Sequence, residues 1–420
     1  AAREMEPKAW WIWKPMNSSC GRGIKLLPSH LSNKVLNRLE QKQGLVQRYV
    51  ERPLLLDGYK FDLRLYVVVT SFDPLKAYIF QEGLVRLCTE RYALSQSSLK
   101  KRTMHLTNYS VNKRSSKYVP NRDGKAPKAP APAPPEEELL YNEEDDAEEC
   151  PTEAGLTEMN ESEDESEDEF NEAASGSKEE PPNAGPNGRA TSKWTLKDLR
   201  EHFESQGLDY WALLAKIKEL IVKTLIAVET PIVSAWHNGA NYQRAKPGPP
   251  APNQTCFELY GFDVLVDQKL RPWLLEVNTC PSLSSSSPLD KRLKTQLVAD
   301  MLTLVGLQPY LEVTPHRFAE KVPRAPRVTA ERLLSSGLRL RDLGEAEWSL
   351  ILDAHDEYLR RGSYERIFPD LKSQELFRTQ RYANCVLAKW LREGGEDCFL
   401  PERVDLRPNW LPLQLFSSAC

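Results

Sequence analysis

Apolar positions along this chain follow two spacings, and the switch between them outlines the fold. From residue 9 to 112 they fall in short runs broken by turns, which predicts strands with short connections. Val46 to Val50 is one such run. Phe61 to Thr70, rich in Leu, Val and Tyr, meets a turn at Phe72-Asp73-Pro74, and Lys76 to Phe80 returns as its hairpin partner. Cys256 to Val266 and Trp273 to Val277 predict a second strand pair, joined near Gln268-Lys269. Elsewhere the spacing lengthens to three and four residues. Thr195 can cap a helix to about Gln206. A second helix is predicted from about Asp209 to Glu229, burying Trp211, Leu214, Ile217, Ile221, Leu225 and Val228 and stopping at Pro231. Leu289 to Leu307 reads as a closing helix. Glu345 to Arg361 carries Trp348, Ile351, Leu352, His355 and Leu359 at helical spacing. There is no internal repeat.

Two stretches break these patterns. Residues 115–192 are predicted to be a disordered insertion. Lys125 to Pro135 alternates Ala, Pro and Lys, which favours an extended polyproline conformation. The acidic run that follows has too little apolar surface to offset chain entropy. A second Pro-rich gap covers Lys246 to Pro252. The insertion also changes the meaning of the net charge of −4. Glu136 to Glu180 holds 21 acids and one lysine, leaving 55 bases against 39 acids elsewhere. That basic remainder suits an anionic partner. With 420 residues and 40% hydrophobic content, the chain has core for two or three domains. No apolar run approaches the roughly 20 residues that span a bilayer. No signal-peptide pattern opens the chain. The eight cysteines form neither a CxxC pair nor a Cys/His cluster, so reduced thiols in a cytosolic protein are expected.

Candidate chemistry gathers at four places. On the predicted 256–277 hairpin, Asp263 falls nearly opposite Glu276, and Glu276 shares a face with Asn278. Carboxylate and amide oxygens flanked by apolar residues suit Mg2+ holding nucleotide phosphates. Lys60, Asp62 and Arg64 alternate with Phe61, Leu63 and Leu65, so all three charges share one face. They read either as phosphate, hydroxyl and carboxylate ligands or as a solvated outer face. Ser18 to Ile24 is a glycine-containing loop after a strand bearing Lys14, weak alone as a phosphate cradle. Met104 to Ser110 carries hydroxyl and amide groups, with His105 read as structural. No nucleophilic triad emerges.

Taken in order, these segments resemble the ATP-grasp core of tubulin-tyrosine-ligase-like enzymes. The matching pieces are WIWKP at 11–15, SSCGRGI at 18–24, LVQRYV at 45–50, KFDLRLYV at 60–67 and EGLVR at 82–86. HLTNYSVNK at 105–113, ELYGFDVLVD at 258–267 and PWLLEVNTCPSLSSSSPLD at 272–290 continue the series. NYSVNK at 108–113 and NTCPSLSSSSPLD at 278–290 favour the polyglutamylase branch, and residues 357–369 resemble its C-terminal extension. Cys20 stands where that branch often carries Arg.

The resemblance implies an α/β ATP-grasp fold whose N-terminal part is missing, with the acidic disordered insertion and a helical C-terminal extension. Residues 1–50 would be the remnant of the central domain, 51–312 the C-terminal ATP-grasp domain, and 313–420 a basic linker with helices. Lys14 and Lys60 would hold ATP phosphates, with Arg22, Gly23 and Ile24 beside the nucleotide. Gln47, Arg48, Tyr49 and Val50 would form the hinge for adenine. Asp62 would lie near the ribose and the reacting groups. Arg64 and Arg86 would bind carboxylate or acyl-phosphate oxygens. Thr107 and Asn108 would line the nucleotide and amino-acid site, and Asp263, Glu276 and Asn278 would hold Mg2+. The implied reaction joins L-glutamate to glutamate γ-carboxylates of tubulin C-terminal tails through an acyl phosphate. Glycine ligation and non-catalytic microtubule binding are the alternatives. The implied partners are tubulin, microtubules and free glutamate, with no nucleic acid or membrane and a monomeric protein. Cytoplasm, cytoskeleton, and cilium or basal body are the implied locations. The acidic insertion reads most simply as a spacer, or else as a mimic of the acidic acceptor.

Overall fold

Period-two alternation along β5 (Tyr59–Phe72) organises the molecule. One set of side chains from this strand enters an apolar core, and the other set is polar at one end and apolar at the other. The computed structural model describes residues 9–16, 18, 20–28, 39, 43–121, 191–242, 256–306, 339–376 and 381–395. Predictions for residues 122–190, for Lys246 to Pro252 and for the linker at 307–338 lie outside these.

Two antiparallel sheets result. The smaller has the order β2-β1-β3, from β1 (Trp11–Pro15), β2 (Lys25–Leu27) and β3 (Gly44–Arg48). The larger has the order β10-β6-β5-β8-β9, with β4 (Leu55–Leu56) on β5 and β7 (Lys193–Thr195) on β6. Its other strands are β6 (Leu75–Arg91), β8 (Glu258–Val266), β9 (Pro272–Asn278) and β10 (Tyr364–Phe368). The predicted hairpins are present, although β6 runs well past Phe80. Short helices α1 (Arg102–His105) and α2 (Tyr109–Asn112) follow β6.

On one face, Phe61, Leu63, Leu65, Val67 and Val69 join Phe262, Val264 and Val266 of β8. Helices α3 (Leu196–Ser205) and α4 (Tyr210–Tyr242) cover them through Leu199, Phe203, Leu213, Ile217, Ile221, Leu225 and Val233. Thr195 caps α3 as expected: its hydroxyl accepts from the Asp198 amide, and the Asp198 carboxylate accepts from the Thr195 amide. On the opposite face, Tyr66 and Val68 lie under α5 (Pro288–Val305) with Leu289, Leu293, Leu297, Met301 and Leu304. Ser287 caps α5, and Gly306, at φ 72°, ends it in the left-handed conformation. That helix leaves the Lys60–Arg64 end of the same face uncovered.

Three expectations change. Helix α4 continues through Pro231. Val233 beyond it is buried in the same core as Leu225, so packing outweighs the lost hydrogen bond. Its buried face is also rotated: Trp211 is 60% and Val228 40% exposed, while Tyr210 and Leu213 turn inward. Third, residues 313–420 are not helical throughout. Between α6 (Glu345–Leu359) and α7 (Tyr382–Arg392), β10 joins the main sheet beside β6. Trp348, Ile351, Cys385, Val386 and Trp390 form a separate core there. Within 115–192, residues 115–121 and 191–192 carry turns and hydrogen bonds. The Ser192 amide donates to the Val119 carbonyl at 2.8 Å, so the two flanks of the stretch meet. No described helix is long and apolar enough to cross a membrane.

Phe203 is fully buried between α3 and the sheet. Phe203→Ala is expected to cost about 3–5 kcal/mol, read as a lower urea midpoint with an unchanged m-value.

Candidate active site

Strand register alone brings four of the predicted charged residues into contact. Asp62 on β5 is directly opposite Arg86 on β6, and Arg64 is directly opposite Asp263 on β8. Arg86 donates to both Asp62 oxygens, from Nε at 2.8 Å and from Nη2 at 2.6 Å. Arg64 grips both Asp263 oxygens in the same forked way, with Nη2 at 3.0 Å from Oδ2. The Arg86 Nη2 also reaches Asp263 at 2.8 Å, across the intervening strand. Thr107 closes the series, donating its hydroxyl to Asp62 at 2.6 Å. Lys60 and Asp62 are buried, which rules out a solvated outer face. Arg64 remains half-buried.

Burial alone would raise the Asp263 pKa, but Arg86 and Arg64 outweigh it and hold the carboxyl below its usual range. Desolvation opposes the charge on Arg86, and the two aspartates more than reverse that. Next to them, Glu276 pairs with Asp263 in the β8–β9 register. Its pKa is raised, first by desolvation and then by the Asp263 charge. The Asn278 side-chain amide donates to the Gly261 carbonyl at 3.2 Å and to Glu276 Oε1 at 3.4 Å. A Cβ on Gly261 would lie 2.8 Å from Pro281 and 3.4 Å from the Arg64 side chain, so only glycine lets these segments approach. Among the described residues, no group of three or more His, Cys, Asp or Glu forms a metal cluster.

Lys60 has a different setting. Its Nζ donates to the Tyr49 hydroxyl at 2.9 Å and to the His105 carbonyl at 2.8 Å, over the Tyr49 ring. Desolvation lowers its pKa to about 8. The same chain of contacts fixes a tautomer. The Ser98 carbonyl can only accept, so His105 Nε2 carries the proton at 3.1 Å from it. Nδ1 is then an acceptor, and the Tyr49 hydroxyl donates to it at 3.1 Å while accepting from Lys60. Burial and the Lys60 charge lower the His105 pKa to about 4, in keeping with a neutral ring.

The remaining predicted residues frame this cluster. Lys14 on β1 donates to the Leu275 carbonyl at 3.5 Å, linking the small sheet to β9. Leu275 is the extra residue of a bulge, because Asp263 pairs with Glu276 while Val264 pairs with Leu274. The loop carrying Arg22, Gly23 and Ile24 turns through positive φ at Cys20, Gly21 and Gly23. Arg102 donates to the Gly21 carbonyl at 2.7 Å and Ser110 to the Cys20 carbonyl at 2.7 Å, which ties this loop to α1 and α2. Asn108 packs against Gly21. Gln47 and Arg48 lie on β3, Tyr49 and Val50 follow the end of that strand, and the Tyr49 side chain joins the charged cluster.

A sequence profile of the tubulin-tyrosine ligase family matches residues 1–138 and 175–315. The chain belongs to this family. Tubulin polyglutamylase TTLL5 of Mus musculus is 32% identical to it over 397 residues, covering 87% of this chain and 24% of its own length. Tubulin monoglutamylase TTLL4 of Mus musculus is 30% identical over 447 residues, covering 96% of this chain and 31% of itself. Tubulin polyglutamylase TTLL7 of Mus musculus is 33% identical over 300 residues, covering 71% of this chain and 25% of itself. The chain therefore spans about a quarter to a third of the length of these curated relatives. In this family member, Tyr49 and His105 gain a part that their residue types did not announce: they orient Lys60. Lys193, which no sequence pattern singled out, pairs at 2.7 Å with buried Asp290, the last residue of the 272–290 segment, and lies opposite Arg86 in the strand register.

Two outcomes follow from His105. Nitrogen NMR of the ring should show the Nε2–H form, neutral down to about pH 4. Its folded pKa lies below the unfolded value of about 6.5, so the unfolded chain binds more protons between these values. Stability should fall on acidification through that window, by up to about 1.4 kcal/mol per pH unit from this group. Urea unfolding at pH 5 and pH 7 should show a smaller difference for His105→Gln than for the wild-type chain.

Proposed function

We propose that this chain is the ligase core of an ATP-grasp enzyme that joins free L-glutamate to glutamate γ-carboxylates in tubulin C-terminal tails. The carrying observation is the row Arg64–Asp263–Arg86–Asp62, held next to Lys60, Glu276 and Asn278, in a chain about 30% identical to named tubulin glutamylases over most of its length. The acceptor and donor are both carboxylates, and so is the group that Arg64 and Arg86 already hold in forked geometry.

Bound ATP with Mg2+ supplies the phosphoryl group that makes the acceptor carboxylate reactive. Two carboxylates and an amide at Asp263, Glu276 and Asn278 carry the hard oxygen donors that Mg2+ takes, and a dication there would favour the ionised Glu276 against the burial and the Asp263 charge that raise its pKa. Lys60 places a buried positive charge where Tyr49 and His105 fix its direction. Arg64 is slightly more exposed than Arg86. Its partner Asp263 sets its orientation before any substrate arrives, so little reorganisation is needed when negative charge builds up. Thr107 donates to the same Asp62 oxygen that Arg86 Nη2 reaches, which helps to fix the carboxylate that Arg86 grips. The basic surface outside residues 136–180 suits an acidic tail and, with it, a place on the microtubule cytoskeleton.

The test uses the complete protein with purified tubulin, ATP and Mg2+, supplied separately with labelled glutamate and labelled glycine. Glutamate should be incorporated, and Glu276→Gln should abolish it. Glycine incorporation alone would assign the other amino acid, and neither label would leave a binding role. Lys60 adds a pH signature. Its charge is present below about pH 8 and is lost above it. Affinity of the free protein for ATP should weaken as pH rises from 7 to 9, by up to about tenfold per unit past the break. Lys60→Met should bind weakly and show no such break.

A further inference from the structure

We propose that Lys193 is a positioning residue for this reaction, gathering the three segments that carry Arg86, Asn108 and Asn278. The inference rests on the ligase reading of the cleft. Lys193 lies on β7 directly opposite Arg86 on β6, with its side chain only 7% exposed. Its ammonium group makes three contacts, each to a different part of the site. It donates to Asp290 at 2.7 Å in the first turn of α5. It donates to the Ser286 hydroxyl at 2.9 Å, on the loop that leaves Asn278. It also sits 4.1 Å above the ring of Tyr109, the residue after Asn108.

The loop is drawn in from several sides. Asp290 Oδ2 also accepts from the Ser286 amide at 3.1 Å and from its hydroxyl at 2.7 Å. Lys294 donates to the Ser284 carbonyl. The backbone of Lys193 is fixed in turn. Thr191 donates to its carbonyl at 2.7 Å and Asn121 at 3.4 Å, while the Leu87 amide donates to Ser192 at 3.0 Å.

A buried ion pair is seldom a net source of stability when compared with apolar side chains of the same size. In some systems its return is specificity of arrangement. Here the pair fixes how the loop 279–287 and α2 meet β6, and so where Asn278 and Asn108 lie relative to Arg86.

The experiment compares Lys193→Met, Lys193→Arg and Asp290→Asn in the complete protein. Steady-state glutamate ligation on tubulin and hydrogen exchange by mass spectrometry are the readouts. Lys193→Met should lower kcat by about 10- to 100-fold, the scale of small misplacements of reacting groups, with KM for ATP changed by less than about twofold. Exchange should speed up within 279–287 and 109–112 and stay unchanged in β5 and β8. Lys193→Arg should recover much of the rate. The proposal is overturned if kcat is unchanged in a folded Lys193→Met protein. It is overturned equally if exchange rises throughout the sheet and the Arg variant is no better, since that marks a merely structural role. If the wild-type protein ligates nothing, the reaction reading fails, and exchange alone decides the positioning role: loosening confined to those two segments sustains it, and unchanged exchange ends it.

Discussion

Arg86 touching Asp263 across an entire intervening strand is the contact on which the site depends. β-Strands lie about 4.8 Å apart, so a side chain from β6 meets one from β8 only if nothing bulky rises between them on β5. Arg64 lies flat toward Asp263 and Asp62 toward Arg86, which leaves that path open. The result is a row of alternating charges, Arg64, Asp263, Arg86 and Asp62, drawn from β5, β8 and β6, with a second acid, Glu276 on β9, beside Asp263. Within that row each charge has its first partner supplied by strand pairing. Removing Asp263 would leave Arg64 without its carboxylate, and removing Arg86 would leave Asp62 without its guanidinium. Rigidity of the site is therefore inherited from rigidity of the sheet.

The two ends of β5 show how one strand serves as both site and core. Lys60, Asp62 and Arg64 share a face with Tyr66 and Val68, and nothing in the backbone distinguishes them. Helix α5 makes the difference. It covers Tyr66 and Val68 and stops short of the charged end. Its own start is fixed by Ser287 and by the pair of Asp290 with Lys193. The helix that seals the core thus also sets the edge of the cleft.

Much of this was legible in the sequence because it follows from period-two spacing. The common face of Lys60, Asp62 and Arg64 and the cap at Thr195 each need only local counting, which also brings Asp263 and Glu276 to within one residue of each other; the bulge at Leu275 makes that pairing exact. What stayed hidden depends on distant packing. Pro231 is a stop signal that a buried Val233 overrides. The face of α4 turned because Ile217, Ile221 and Leu225 fit either of two stripes one residue apart. β10 is five residues with two charges, too short and too polar to read as a strand before β6 offered it an edge. Tyr49 and His105 are 56 positions apart, so no local pattern could connect them to Lys60.

The bulge at Leu275 has the widest reach for its size. Counting back from the turn, Val266 faces Pro272, Leu265 faces Trp273 and Val264 faces Leu274. An unbroken ladder would next set Leu275 against Asp263 and send Glu276 to the opposite side of the sheet. One additional residue resets the reading frame of the strand, so that Glu276 and Asn278 arrive beside Asp263 and a main-chain oxygen is left for Lys14. The cleft is thus encoded partly in strand length. Deleting Leu275 would straighten β9 and keep Glu276 opposite Asp263, but it would take away the main-chain oxygen that Lys14 reaches.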